Sequence, residues 1–377
     1  MGKKSRRDLV KVQHPRYLQA SKAQKGIILD EFVAVTGIHR KSAVRLLRHG
    51  YGEYRPGRGR PRVYTGDTVG ALVAVWRVYG NLCGKRLAPF MAEGVKALER
   101  HGELKVGPET RKQLLSMSAS TIDRYLARFR SGSARGLSTT KPGTLLRQAI
   151  PIRTFGEWDE EQPGFLEMDL VAHCGESTAG QFLQTLTATD IRTGWTECLP
   201  LAHRSQAEVS RAIEHLTACL PFPLRGIDSD NDGVFINDTL FRHCQEHAIT
   251  FTRCRPYHKN DQAHVEQKNW SIVRRTIGYR RYESPEALAL LQTIYADLRL
   301  YVNFFQPVQK LLTKQRQGSK VHKKYDSAKT PHQRLMAESG VPIETKMRLQ
   351  QQYLQLNPAA LKRRIDANLH QLWALPR

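Results

Sequence analysis

Asp169, Asp230 and Glu266 are the residue type that a metal-assisted reaction at phosphate requires. Phosphoryl transfer develops negative charge on both the attacking and the leaving oxygen. Two Mg²⁺ ions about 3.5–4 Å apart, held by hard carboxylate oxygens, can clamp both. One ion lowers the pKa of the nucleophile while the other steadies the leaving group.

These acids need a scaffold that brings residues far apart in sequence to one place. Alternation and turn residues predict strands over 165–172, 181–189 and 196–201, a helix over 206–220 and a strand over 225–229. A helix over 238–248, a strand over 249–253 and a helix over 264–279 follow, closed by a helix from Pro285 to about Asn303. The order β-β-β-α-β-α-β-α implies a mixed sheet flanked by helices. Asp169 falls in the first strand, Asp230 just past the fourth, where α/β sheets usually place ligands, and Glu266 in the first turn of a helix.

A formal charge of +24 calls for a polyanionic partner, nucleic acid first. The charge is uneven: residues 1–150 carry a net +20, 151–300 a net −6 and 301–377 a net +10. Basic flanks around an acidic middle suit grips on DNA either side of a segment that uses its carboxylates.

The first half reads as helical. Ile28, Phe32 and Val35 fall on one face, Gly37 supplies a turn, and Val44 and Leu47 resume the pattern beside Arg40, Lys41, Arg45 and Arg48. This is a helix-turn-helix pattern, although a plain helical hairpin has the same signature. Between Tyr54 and Tyr64 the chain is rich in Gly, Pro and Arg. Its Arg58, Arg60 and Arg62 make either an AT-hook-like minor-groove element or an ordinary basic linker. A second helix-turn-helix candidate runs from about Glu109 to Arg130, with Ser120 and Asp123 as the helix start. There Ile122, Leu126 and Phe129 would be inward and Arg124 and Arg128 outward.

Three blocks make the middle segment, about residues 142–310, resemble the DDE transposases of bacterial insertion sequences, which share the retroviral-integrase catalytic domain. Thirty-five residues separate Asp230 from Glu266, as in that family's D-D-35-E spacing. The run from Ser229 to Asn237 resembles its S-D-N-G-S-E-F-I-N block, and the run from Arg255 to Asn269 resembles the block around its glutamate. Asp228 and Asp232 are rivals for the second position, but leave 37 and 33 residues before Glu266. Asp232 stands where the family has glycine, an extra carboxylate that could weaken activity or act as an outer ligand. The paired His and Cys of a retroviral zinc domain are missing from the first 150 residues, whose single cysteine is Cys83.

The resemblance implies an RNase H-like core with two Mg²⁺ (or Mn²⁺) ions per site, held by Asp169, Asp230 and Glu266. It further implies hydrolysis at transposon ends and attack of the 3′-OH on target DNA. The expected organisation is multidomain α plus α/β. A helix-turn-helix domain (1–53), a basic linker (54–64), a second helical domain (65–130), a linker (131–150), a catalytic domain (151–310) and a basic C-terminal DNA-binding region (311–377) make it up. Lys259, Lys268, Arg274 and Arg275 near the glutamate are candidate phosphate contacts, and Lys314, Lys320, Lys323 and Lys324 a further grip.

The expected partners are transposon-end and target DNA, with a homo-oligomer assembled on DNA. No membrane is expected, and no ATP in the absence of a G-x-x-x-x-G-K-[ST] element. The six cysteines read as reduced thiols of a cytoplasmic, nucleoid-associated bacterial protein. A transposase-derived DNA-binding regulator without activity is the alternative.

Overall fold

The computed structural model describes residues 2–51, 63–130, 162–230, 232–254 and 263–376. Arg58, Arg60, Arg62 and Lys259 lie outside these, as do the 131–150 linker and most of the 54–64 one.

The chain forms two compact units, Met1–Val63 and Tyr64–Arg377. In the first, α1 (Lys3–Gln19), α2 (Lys22–Thr36) and α3 (Arg40–His49) enclose Val10, Tyr17, Ile28, Leu29, Phe32, Ala43 and Leu47. Ser21 and Gln24 form a capping box at the start of α2, worth about 1 kcal/mol. Gly37, at φ +68°, turns the chain toward α3. Ile28 and Phe32 are buried as expected, but Val35 is 62% exposed, because α3 covers only part of that face. Arg40, Lys41 and Arg45 are all exposed, and Arg40 pairs with Asp30.

The second unit opens with α4 (Gly66–Val78), α5 (Gly84–Arg100), α6 (Pro108–Ser116) and α7 (Ala119–Leu126). Ser118, not Ser120, caps α7 by accepting from Thr121 N, while Asp123 accepts from Gly84 N at 2.8 Å and so ties α7 to α5. A Cβ at Gly84 would run into the Ala119 carbonyl, so this approach requires glycine. Ile122 and Leu126 are buried, whereas Phe129 is 38% exposed in a short 3₁₀ turn past the helix end. Arg124 and Arg128 are exposed.

The sheet follows: β1 (Phe165–Ala172), β2 (Gln184–Asp190) and β3 (Thr196–Leu201), then α8 (Gln206–Cys219), β4 (Gly226–Ser229), α9 (Asp238–Glu246) and β5 (Thr250–Arg253). The strand order is β3-β2-β1-β4-β5. The first three strands are antiparallel neighbours, and β4 and β5 run parallel to β1. This mixed sheet with flanking helices agrees with the expected core architecture.

The predicted helix over 264–279 is instead three pieces: α10 (Ala263–Lys268), a π-helical turn at Asn269–Arg274, and α11 (Arg275–Ile277). Asn269 is tied to Asp169 and Arg274 to the carbonyl of Ala172, both on β1. Those residues are five apart, and an i→i+5 repeat turns both toward the strand as an α-helix would not.

The helix α12 (Pro285–Phe305) packs against β3, and the region past it is ordered as a two-stranded ribbon, β6 (Leu311–Gln317) and β7 (Lys320–Tyr325), and three helices, α13 (Pro331–Ala337), α14 (Ile343–Gln355) and α15 (Pro358–Ala374). α15 lies along α12, and one apolar core runs from Leu72 and Phe90 through Leu186 and Ile227 to Phe304 and Leu369. Tyr301 donates to the Val78 carbonyl at 2.6 Å and Gln306 to that of Tyr79 at 3.1 Å. The α4–α7 layer is thereby held against α12 within the second unit. No described helix is long and apolar enough to cross a membrane.

Candidate active site

The parallel ladder pairs Met168 with Ser229. One step further along both strands come Asp169 and Asp230, side by side at one end of the central pair. Both are half-buried. Burial, then the charge of Asp230, raises the Asp169 carboxyl to about 7, against the pull of its bonds from Leu170 N and Asn269. Burial raises Asp230 to about 6, with Arg204 pulling it back. Two anions in one low-dielectric place oppose each other, and each resists losing its proton.

Glu266 sits in the first turn of α10 and is exposed, but its charge reaches Asp169. Asn269, one turn on, donates from Nδ2 to Asp169 Oδ2 at 2.6 Å. The structure therefore brings Asp169 and Asp230 together and places Glu266 at the rim. Among the described residues no three His, Cys, Asp or Glu side chains stand converged as a ready-made metal cage. The donor set still fits a hard divalent cation, since the paired carboxylates repel one another and a cation between them removes the repulsion.

The rival aspartates are occupied elsewhere. Asp228 is buried in β4, accepting from Thr252 Oγ1 at 2.6 Å. Asp232 is buried and ion-paired with Arg204, and it also accepts from Val234 N at 3.2 Å. The extra carboxylate is thus neutralised by a residue that sequence reading did not single out.

Glu167 was also missed. Fully buried two residues before Asp169, its Oε2 accepts from the backbone N–H groups of His264 at 3.0 Å and Val265 at 2.9 Å. It caps α10 from β1, a strand nearly a hundred residues away, and so sets where Glu266 begins. Burial pushes its carboxyl well above the usual range, opposed by the bond from Val265. The signal was present: on a strand, residues 167 and 169 share a face.

The expected basic face beside the glutamate is not a free one. Lys268 is buried, with Nζ donating to the Gly194 carbonyl at 3.2 Å, and burial lowers it to about 7. Arg274 donates to Ala172 O at 2.8 Å and stacks over Tyr279, while Arg275 donates to Gly80 O at 2.6 Å. Of these candidate phosphate contacts Lys268 is thus enclosed and Arg274 half-buried, while Arg275 is exposed.

No protein-family model matches the chain. The catalytic core domain of BIV integrase aligns with 45% of this chain and 91% of its own length, at 20% identity and a TM-score of 0.28, too loose a fit to argue from. An uncharacterized protein, y4rM of Sinorhizobium fredii, is 44% identical over 341 residues, 90% of this chain and 96% of its own. Identity of that depth and extent makes the chain a member of the same family as y4rM.

Proposed function

We propose that the protein is a metal-dependent polynucleotidyl transferase, a DDE transposase that cuts DNA at the ends of a mobile element and joins the 3′-OH to target DNA. The observation that carries this reading is the half-buried Asp169–Asp230 pair, on neighbouring parallel strands next to a helix that bears Glu266 and Asn269. Asp169, Asp230 and Glu266 would hold Mg²⁺ or Mn²⁺, which when bound supplies the positive charge that the attacking and leaving oxygens need. Asn269 holds the Asp169 carboxylate in one orientation, and Glu167 holds the helix that carries Glu266.

DNA would be gripped by the exposed Arg40, Lys41 and Arg45 of the first unit, whose three helices suit a helix-turn-helix. The ribbon β6–β7 adds a second hold. Lys320, Lys323 and Lys324 are exposed along β7, and a two-stranded ribbon has the width of a major groove. The alternative of an inactive regulator, which keeps the helical DNA-binding units and the charge, drew part of its support from Asp232, and that carboxylate is ion-paired with Arg204.

The carboxylate pair gives a test independent of DNA. Because both pKa values are raised on folding, the native state holds more protons than the unfolded chain between about pH 4 and 7. Stability of the metal-free protein is therefore expected to fall as pH rises through that window. At pH 8, Asp169→Asn is expected to raise metal-free stability by about 2 kcal/mol, because burial and then the charge of Asp230 disfavour the carboxylate it replaces. Millimolar Mg²⁺ is expected to raise the melting temperature of the wild type and not that of the variant. Equal Mg²⁺ responses in the two proteins would count against metal binding at this pair.

A further inference from the structure

The face of the π-helical turn opposite Asp169 lines a pocket of about 250 Å³ between the α4–α5 turn, α12 and α15. Lys268, Ser271, Arg275 and Thr276 come from that helix, Arg86 from the first turn of α5, and Lys362 and Asp366 from α15. These helix residues face the pocket together.

What sets this pocket apart is its uncompensated charge. Arg86 Nε donates to Pro307 O at 2.6 Å, Arg275 Nη2 to Gly80 O at 2.6 Å and Lys268 Nζ to Gly194 O at 3.2 Å. Each cation has a neutral carbonyl as its partner. The lining contains one carboxylate, Asp366, and Lys362 already bonds both its oxygens. All three line the same small pocket, so like charges face one another there. Lys268 is buried and Arg86 half-buried, with Arg275 exposed at the mouth, and like charges are costly to bury together unless an anion joins them. Arginine keeps its proton at any working pH and offers a planar fork of donors suited to phosphate oxygens.

We propose that this pocket is a phosphate site, in which Arg86, Arg275 and Lys268 surround a single phosphate group and the hydroxyls of Ser271 and Thr276 complete its shell. The volume is below the usual range for drug-sized ligands and far too small for a duplex. It admits a phosphate and part of its ester. The site deepens the reading of the chain as a DNA-processing protein, but its chemistry does not depend on the carboxylates across the helix. Either a free phosphate or a phosphate of a DNA strand could fill it.

The test is thermal melting of the full chain at pH 7 without divalent metal, in inorganic phosphate against chloride at matched ionic strength. Phosphate is expected to raise the melting temperature of the wild type. In Arg275→Gln, half-saturation is expected to need about tenfold more phosphate, the loss of a charge-assisted hydrogen bond. Thr276→Glu, which supplies the missing negative charge, is expected to melt higher than wild type in chloride and to gain nothing from phosphate.

Competition then separates the sources. A short single strand bearing a 5′-phosphate that displaces phosphate, where its 5′-hydroxyl counterpart does not, identifies a DNA end. Displacement by both strands identifies a backbone phosphate, and by neither, the free anion. Identical melting of the wild type in phosphate and chloride, with Thr276→Glu no more stable, would overturn the proposal. That result would leave the metal reading intact, since no metal or cleavage enters the measurement. A positive result would likewise stand if the protein proved unable to cut DNA.

Discussion

Asp230→Asn is expected to lose Mg²⁺-dependent strand cleavage by about 10³-fold or more while binding DNA as the wild type does. Asparagine keeps the volume and one acceptor oxygen, so the loop after β4 should retain its shape, including a bond like that from Asp232 N to Asp230 Oδ1 at 3.0 Å. It lacks the charge that a divalent cation requires. Asp232→Asn is the informative contrast. Its carboxylate is committed to Arg204, so the change is expected to cost activity only severalfold, through a loosened Arg204. Gel-shift and cleavage assays on the same DNA would separate binding from chemistry. If Asp232→Asn proved inactive and Asp230→Asn active, the second ligand would have to be reassigned and the thirty-five-residue spacing abandoned as a guide.

Replacing Glu167 has a comparable consequence by another route. In Glu167→Leu the backbone N–H groups of His264 and Val265 lose their acceptor inside the protein, at a cost of about 2–4 kcal/mol. The first turn of α10 then loses the bonds that fix its approach to β1, and Glu266 its set position. Glu167→Gln keeps an acceptor oxygen and the side-chain length. Its stability is expected to stay within about 1 kcal/mol of wild type, because burial already favours the uncharged form of this carboxyl. A positioning role requires cleavage to follow the same order, wild type and Gln together and Leu far below, when each is assayed well under its melting temperature. Loss of cleavage in the Gln variant at full stability would instead give Glu167 a chemical part through its charge.

The contrast between these two acids shows which parts of the site the sequence carried. The apolar runs and the turn residues between them located β1 and β3 at their observed bounds, and both strands are buried along most of their length rather than at alternate residues. The placement of Asp169 in β1, of Asp230 just past β4 and of Glu266 in the first turn of a helix was legible from the element ends. The π-helical turn was not, since it follows from anchors on a strand a hundred residues earlier. Lys268 and Arg275 read as phosphate contacts beside the glutamate for the same reason. Their surroundings come from the α4–α5 turn, α5, α12 and α15, which no local pattern links to residue 268. Val35 and Phe129 fitted an apolar stripe, yet both are exposed, Val35 one residue before the end of α2 and Phe129 in the 3₁₀ turn past α7. The region past 310 read as a basic tail because its charge masked the apolar spacing of Leu361, Ile365, Leu369 and Leu372, which seats α15.

In the proposed function these carboxylates support joining as well as cutting. The most direct measurement supplies a duplex carrying the element's end already cut to a 3′-OH, with a supercoiled target and Mg²⁺, and follows the labelled strand on a denaturing gel. The account predicts labelled products longer than the input strand, present with wild type and absent with Asp169→Asn, Asp230→Asn or Glu266→Gln. Hydrolysis fragments alone, or joining that persists in those variants, would contradict it.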